Sequence, residues 1–228
     1  MPLRAASVAA VLAAALALPA AAEGATLGPL KPCYATTGGA EWQREPVYLV
    51  AHGFTPGSFV DIFVDGTLHT ASASIDAGGR LGAMTPASVP APYVASGERE
   101  FEVEIFEQGN PANVAVATAK TTRLGVEVTP RNARLDRKVR FRGRGFTGGK
   151  PIYAHYLFKG KPRRTVKLAR APDSDCGTWS ARRTRFPFRS PRVGIWTVQF
   201  DHVKAYVPQA RPIFMILPFR VYKTRDED

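Results

Sequence analysis

From Val47 onward the chain is built of short runs in which apolar and polar residues alternate, separated by glycine, proline and Asp-Gly steps. A period of two in short runs predicts β-strands, and no long stretch carries the helical period. The alternation predicts strands near Val47–His52, Phe59–Val64, Thr67–Ile75, Arg80–Met84, Glu100–Phe106 and Val114–Thr122. It predicts a second series near Val126–Val128, Lys138–Arg144, Ile152–Phe158, Thr165–Ala169, Thr178–Thr184, Ile195–Asp201 and Ile213–Tyr222. Asp65-Gly66 joins two runs as a two-residue hairpin turn. Asp76 to Gly79 reads as another turn, Thr85 to Pro92 as a proline-rich crossover between sheets, and 23–44 as a lead-in without a clear strand.

The second series echoes the first. Val47 to Gly57 and Val139 to Gly149 both run as a strand into Gly-Phe-Thr-x-Gly, a glycine pattern suited to a tight turn at positive φ. Gly78-Gly79-Arg80-Leu81 aligns in the same way with Cys176-Gly177-Thr178-Trp179. The reading is an all-β chain with two tandem copies of one unit, 45–123 and 124–223.

The ends and the cysteines set the compartment. Residues 1–22 hold one early charge, Arg4, an apolar stretch from Ala5 to Leu18, and a small-residue close at Ala20 to Ala22, the make-up of a secretory signal peptide. Downstream, the longest apolar run, Ile213 to Leu217, is bracketed by prolines and is strand-sized, so no transmembrane segment is expected in the mature chain. An acidic tail, 224–228, ends the sequence. The expectation is a secreted or extracytoplasmic protein, free or held at the envelope; its alanine- and arginine-rich usage suits a high-GC bacterium. Cys33 and Cys176 then form a disulfide, or remain two thiols too far apart to bridge. A bridge over so long a loop has a chain-entropy ceiling of roughly 5 kcal/mol.

The two Gly-Phe-Thr-x-Gly elements, with Cys176 to Trp179 and Gly194 to Asp201, resemble strands and connections of the tandem immunoglobulin-like domains, loosely IPT/TIG-like, of exported bacterial proteins. The resemblance covers about 45 to 223. It implies two immunoglobulin-like β-sandwiches and no particular activity, because such modules serve as spacers, adhesins, carbohydrate binders and enzyme appendages.

Charge separates the copies. The net charge is +12, yet residues 23–123 hold 6 Lys and Arg against 11 Asp and Glu, whereas 124–228 hold 24 against 8. Alternation turns Arg140, Arg142 and Arg144 outward from Val139 and Phe141, and Glu100, Glu102 and Glu104 outward from Phe101, Val103 and Ile105. Arg182, Arg183 and Arg185 fall on the strand expected beside the first ladder. These six arginines are the candidate polyanion-binding residues, toward envelope phosphate polymers, acidic glycans, anionic lipid headgroups or nucleic acid. Specific nucleic-acid recognition is disfavoured, since no groove-reading helix or stacking motif is present. The alternatives are plain solvated strand faces, or a spacer or self-associating protein whose acidic and basic faces dock.

Catalytic chemistry finds no signature. His52, His69, His155 and His202 lack metal-ligand spacing, no Gly-x-Ser-x-Gly is present, and Asp173 and Asp175 are too few for a calcium loop. No cofactor or metal is expected. Trp179 and Trp196 read as core residues, and Trp42 as a packed residue or a sugar platform. The sequence thus describes a non-enzymatic binding or structural module, with an accessory domain of a hydrolase or a cryptic enzyme as the lesser alternative.

Overall fold

The computed structural model describes residues 24–82, 86–131, 133–172, 176–210 and 214–222; the stretch 1–22 expected as a signal peptide, the residues Asp173 to Asp175 and the stretch 224–228 expected as an acidic tail lie outside them. Its elements are almost all strands. The first unit runs through β1 (Thr26–Leu27), β2 (Cys33–Thr36), a 3₁₀ turn (Glu41–Gln43), β3 (Pro46–Leu49), β4 (Ala51–His52), β5 (Phe59–Val64), β6 (Thr67–Ser74), β7 (Arg80–Leu81), β8 (Ala87–Pro90), β9 (Glu98–Glu107) and β10 (Asn110–Arg123). The second runs through β11 (Gly125–Thr129), β12 (Lys138–Arg144), β13 (Pro151–Phe158), β14 (Lys161–Arg170), β15 (Trp179–Thr184), β16 (Gly194–Asp201) and β17 (Phe214–Val221).

In the second unit a three-stranded sheet, β11-β12-β15, lies against a four-stranded one, β14-β13-β16-β17. Their inner residues meet in one cluster that includes Val139 and Phe141 from one sheet and Ala154, Tyr156, Val198 and Phe200 from the other, with Trp179 and Trp196 buried among them. In the first unit the larger sheet is β2-β10-β9-β5-β6, and the opposing layer is split into β1-β4-β7 and the pair β3-β8. Val47, Leu49, Val60, Ile62, Val103 and Ile105 meet between them. Both units are immunoglobulin-like β-sandwiches in this arrangement of sheets.

Three expectations change. The single strand over Val47–His52 breaks at Val50: β3 pairs with β8, while β4 pairs with β1 and β7. The stretch Thr85 to Pro92 is not a bare crossover, because Ala87–Pro90 forms β8. The segment 23–44 is not strandless, since β1 and β2 lie within it, and β2 joins β10 in parallel. All four β2 residues are buried, so the strand shows no alternation to read.

That burial has a structural cause. Tyr34 packs into the first core, Ala35 into the second, and Cys33 is disulfide-bonded to Cys176 of the second unit. Leu124, the single residue between β10 and β11, donates its N–H to the Thr36 carbonyl at 2.8 Å and buries its side chain in the second core. β2 is therefore a part common to both units.

The repeated glycines meet in space. Phe54 and Phe146 are buried, each worth about 1.5–3 kcal/mol by transfer from water. Beside each Phe carbonyl lies a glycine from the adjoining turn, Gly79 (φ 72°) in the first unit and Gly177 (φ 58°) in the second. A Cβ there would stand 2.5 Å from the Phe54 oxygen and 2.1 Å from the Phe146 oxygen. Positive φ and a carbonyl with no room beside it both require glycine.

Candidate functional site

β12 is the central strand of its sheet, so its outer face is flanked by those of β11 and β15. Register places Arg140 opposite Thr129 and Arg182, and Arg142 opposite Glu127 and Ser180. Arg140, Arg142 and Arg182 are exposed, as is Lys138 at the start of β12. Glu127 is the acid of this face, and its Oε1 accepts from Arg144 Nη2 at 3.3 Å. Four cations thus line β12, with a fifth at Arg182. Directly opposed like charges destabilise an antiparallel pair, and Arg140 with Arg182 is such a pair.

The six candidate arginines do not form one patch. Arg183, next to the last residue of β15, donates to the Arg182 carbonyl at 3.0 Å. Arg185 turns inward: its guanidinium donates to the Ala133 carbonyl, lies 5.9 Å from the Phe219 ring, and burial lowers its pKa from the ordinary arginine value. Arg185 is held by the structure and is not offered to a ligand. Lys138 completes the face instead, a residue that the arginine pattern alone does not single out.

The acidic ladder lies on the outer face of β9, with Glu100 opposite Lys120, Glu102 opposite Thr118 and Glu104 opposite Val116. Phe63 and Phe106 meet edge to face beside it, 5.5 Å apart. Glu100 and Glu102 are exposed, as are Arg140 and Arg142, so within one chain the two ladders do not cover each other.

A polar cluster lies on the opposite sheet of the second unit. His155 (β13) stands opposite Thr165 (β14) and Gln199 (β16), with its ring nitrogens 2.9 Å from Thr165 Oγ1 and 3.1 Å from Asp201 Oδ1. The carboxylate places the proton on Nε2, and Nδ1 then accepts from the Thr165 hydroxyl. Hydroxyl, imidazole and carboxylate stand in the order of a nucleophile, base and orienter. His155 and Asp201 are wholly buried, however, under the loop 202–210. Asp201 accepts from Val203 N at 2.8 Å, Gln199 donates to Asp201 at 2.6 Å and to the Val207 carbonyl at 2.7 Å, and the Tyr206 ring lies 5.7 Å from that of His155, tilted by 59°. The cluster holds this loop down. The sequence hid it because His155 and Asp201 are far apart and each looks like an ordinary strand residue.

Trp42, whose two readings are a packed residue and a sugar platform, is 65% exposed and so is not packed away. Its 3₁₀ turn is tied by Thr37 N and Oγ1 to the Gln43 carbonyl, at 2.8 and 3.0 Å. At the foot of the turn the buried Glu45 carboxylate accepts from Ala35 N at 2.9 Å and pairs with Lys31 at 2.5 Å.

Among the described residues no group of three or more His, Cys, Asp or Glu is placed to hold a metal, and no helix is long and apolar enough to cross a membrane. No family model and no curated protein matches the chain. Among solved structures it is similar to a tetra-tandem repeat from the extending region of a large adhesion protein (15% identity, 86% of this chain and 49% of that one, TM-score 0.28). It is also similar to an immunoglobulin tandem of titin (11%, 87% and 95%, 0.27) and to fibronectin(III)-like modules of Clostridium thermocellum CbhA (11%, 90% and 97%, 0.27). The chain spans about half the length of the first. Scores of this size carry no functional argument.

Proposed function

We propose that the chain is an exported, non-enzymatic binding module of the envelope, whose second unit holds an anionic polymer on the outer face of β11, β12 and β15. The observation that carries this reading is the ladder Lys138, Arg140, Arg142, Arg144, with Arg182 alongside and Glu127 as the acid of the same face. An external anion relieves the repulsion between Arg140 and Arg182, and guanidinium groups at strand spacing suit two-pronged contacts to phosphate or carboxylate.

The test uses the full chain, since β2 contributes to the second core. A heparin or polyphosphate column retains the protein at moderate salt. The variant R140S/R142S/R182S elutes earlier, with the salt dependence of binding reduced by roughly one unit of slope for each anionic group that a removed arginine held. Unchanged retention removes this face from the reading. Salt-sensitive self-association of the unmodified chain, abolished by the same variant, would instead point to the acidic face of a second copy as the anion.

A further inference from the structure

Thr165 lies on β14, the edge strand of its sheet, and is exposed, whereas the His155 ring and the Asp201 carboxylate behind it are wholly buried. Holding down the loop 202–210 accounts for Asp201 and Gln199, which bond to Val203, Val207 and Gln209. It does not account for Thr165, which stands on the other side of His155 from Gln199. With the imidazole proton on Nε2 toward Asp201, Nδ1 accepts from the Thr165 hydroxyl at 2.9 Å, the relation of a general base to the oxygen that it activates. Lys167, opposite Tyr153, is exposed on the same face of β14, roughly 7 Å further along the strand.

We propose that Thr165 is an acyl-acceptor site, at which the chain takes up one acyl group from an activated donor; this goes beyond the polyanion reading and does not depend on it. Thr165 Oγ1 attacks the carbonyl carbon of the donor as its proton passes to His155 Nδ1. The bond from that carbon to the leaving group breaks, and the leaving group departs with the electron pair as an anion. The products are an ester on Thr165 and an imidazolium paired with the Asp201 carboxylate. Asp201 is the positioning residue, fixing the ring and its tautomer, and Lys167 sets a positive charge on the face where the carbonyl oxygen turns negative. Burial decides the class of donor. No part of the His155 side chain reaches solvent, so the base has no path by which to protonate a departing alkoxide. Thioesters, acyl phosphates and phenyl esters, whose leaving groups depart as anions, fit the site, and alkyl esters do not. The same burial gives water no approach to Nδ1 once Oγ1 carries the acyl group, so the ester persists.

The full chain is incubated with p-nitrophenyl acetate, whose released phenolate is followed by absorbance, and the acetyl groups are placed by peptide mass spectrometry. The expected result is a fast release of one equivalent with the acetyl group on Thr165, above slower acylation of lysines. Thr165→Val, which removes an exposed hydroxyl and keeps both members of the buried His155–Asp201 pair, loses the fast phase, and Thr165→Ser retains it. His155→Gln slows it by about a hundredfold, the low end of what a general base contributes; should that variant lose the fold by circular dichroism, Thr165→Val decides alone. Acetyl groups on lysines only, an equal fast release in Thr165→Val, or an equal rate in folded His155→Gln overturns the proposal. Release that runs on past one equivalent and depends on Thr165 overturns attachment in favour of hydrolysis.

Discussion

The strand that enters the first Gly-Phe-Thr turn and the strand that enters the second differ in continuity as well as in charge. The first is cut at Val50 into β3 and β4, which pair with different neighbours; the second, β12, runs unbroken through seven residues between two partners. Each ends on a buried phenylalanine beside a positive-φ glycine. Inward positions that must fit a core remain alike, while outward positions, which water tolerates in many forms, have diverged into a neutral broken strand and a basic ladder. The unbroken strand is the one that presents charges at regular spacing, and the broken one lies next to Trp42.

The bond between the units gives the largest test of this comparison. Replacing Cys33 and Cys176 by Ala is expected to lower stability by up to roughly 5 kcal/mol, the chain-entropy ceiling for so long a loop, measured by denaturant unfolding. Because Ala35 belongs to the second core, both units should weaken; a loss confined to the first would show that β2 is not shared. A smaller effect distinguishes the two turns. Gly177→Ala and Gly79→Ala should each cost about 1–3 kcal/mol through backbone strain, Gly177→Ala the more, since its Cβ approaches the phenylalanine oxygen more closely. Negligible losses at both would remove the requirement for glycine at these turns.

The smallest effect is one of pH and belongs to the second unit. Burial pushes the His202 imidazole below its ordinary value, an effect that the nearby Lys150 and Lys31 charges reinforce and that the bond to the Pro151 carbonyl and the Asp201 charge oppose. The folded state therefore binds this proton less readily than the unfolded state. Its contribution is fully retained above the ordinary imidazole value of about 6.5 and is lost as pH falls through that value toward the depressed one. His202→Gln should flatten this decline in thermal unfolding followed from about pH 7.5 to 5, the range that brackets the imidazole; an unchanged decline would assign it elsewhere.

The all-β, immunoglobulin-like fold was legible because most strands have one wet face and one dry. β5 and β12 alternate without exception, and their limits agree with the pattern of the residues alone. β2 was invisible for the opposite reason, being dry on both faces, and β8 because Pro86 before it and Pro90 at its end read as a break. The face of β12 followed from alternation, whereas the inward turn of Arg185 depended on the Ala133 carbonyl and Phe219, groups that only the folded chain brings near. The exposure of Trp42 was equally beyond reach, since a tryptophan in a polar segment does not declare which side of its turn is covered.

β2 also bears on how the chain is completed. Its cysteine is made early in synthesis, while the partner thiol follows 143 positions later. Until then the outermost strand of the first sheet has no covalent hold, and the side of it that packs on the second core has nothing to meet. The second unit thus acts as the closing step for the first, and a chain truncated before Cys176 would carry an unfinished edge where the intact protein has none.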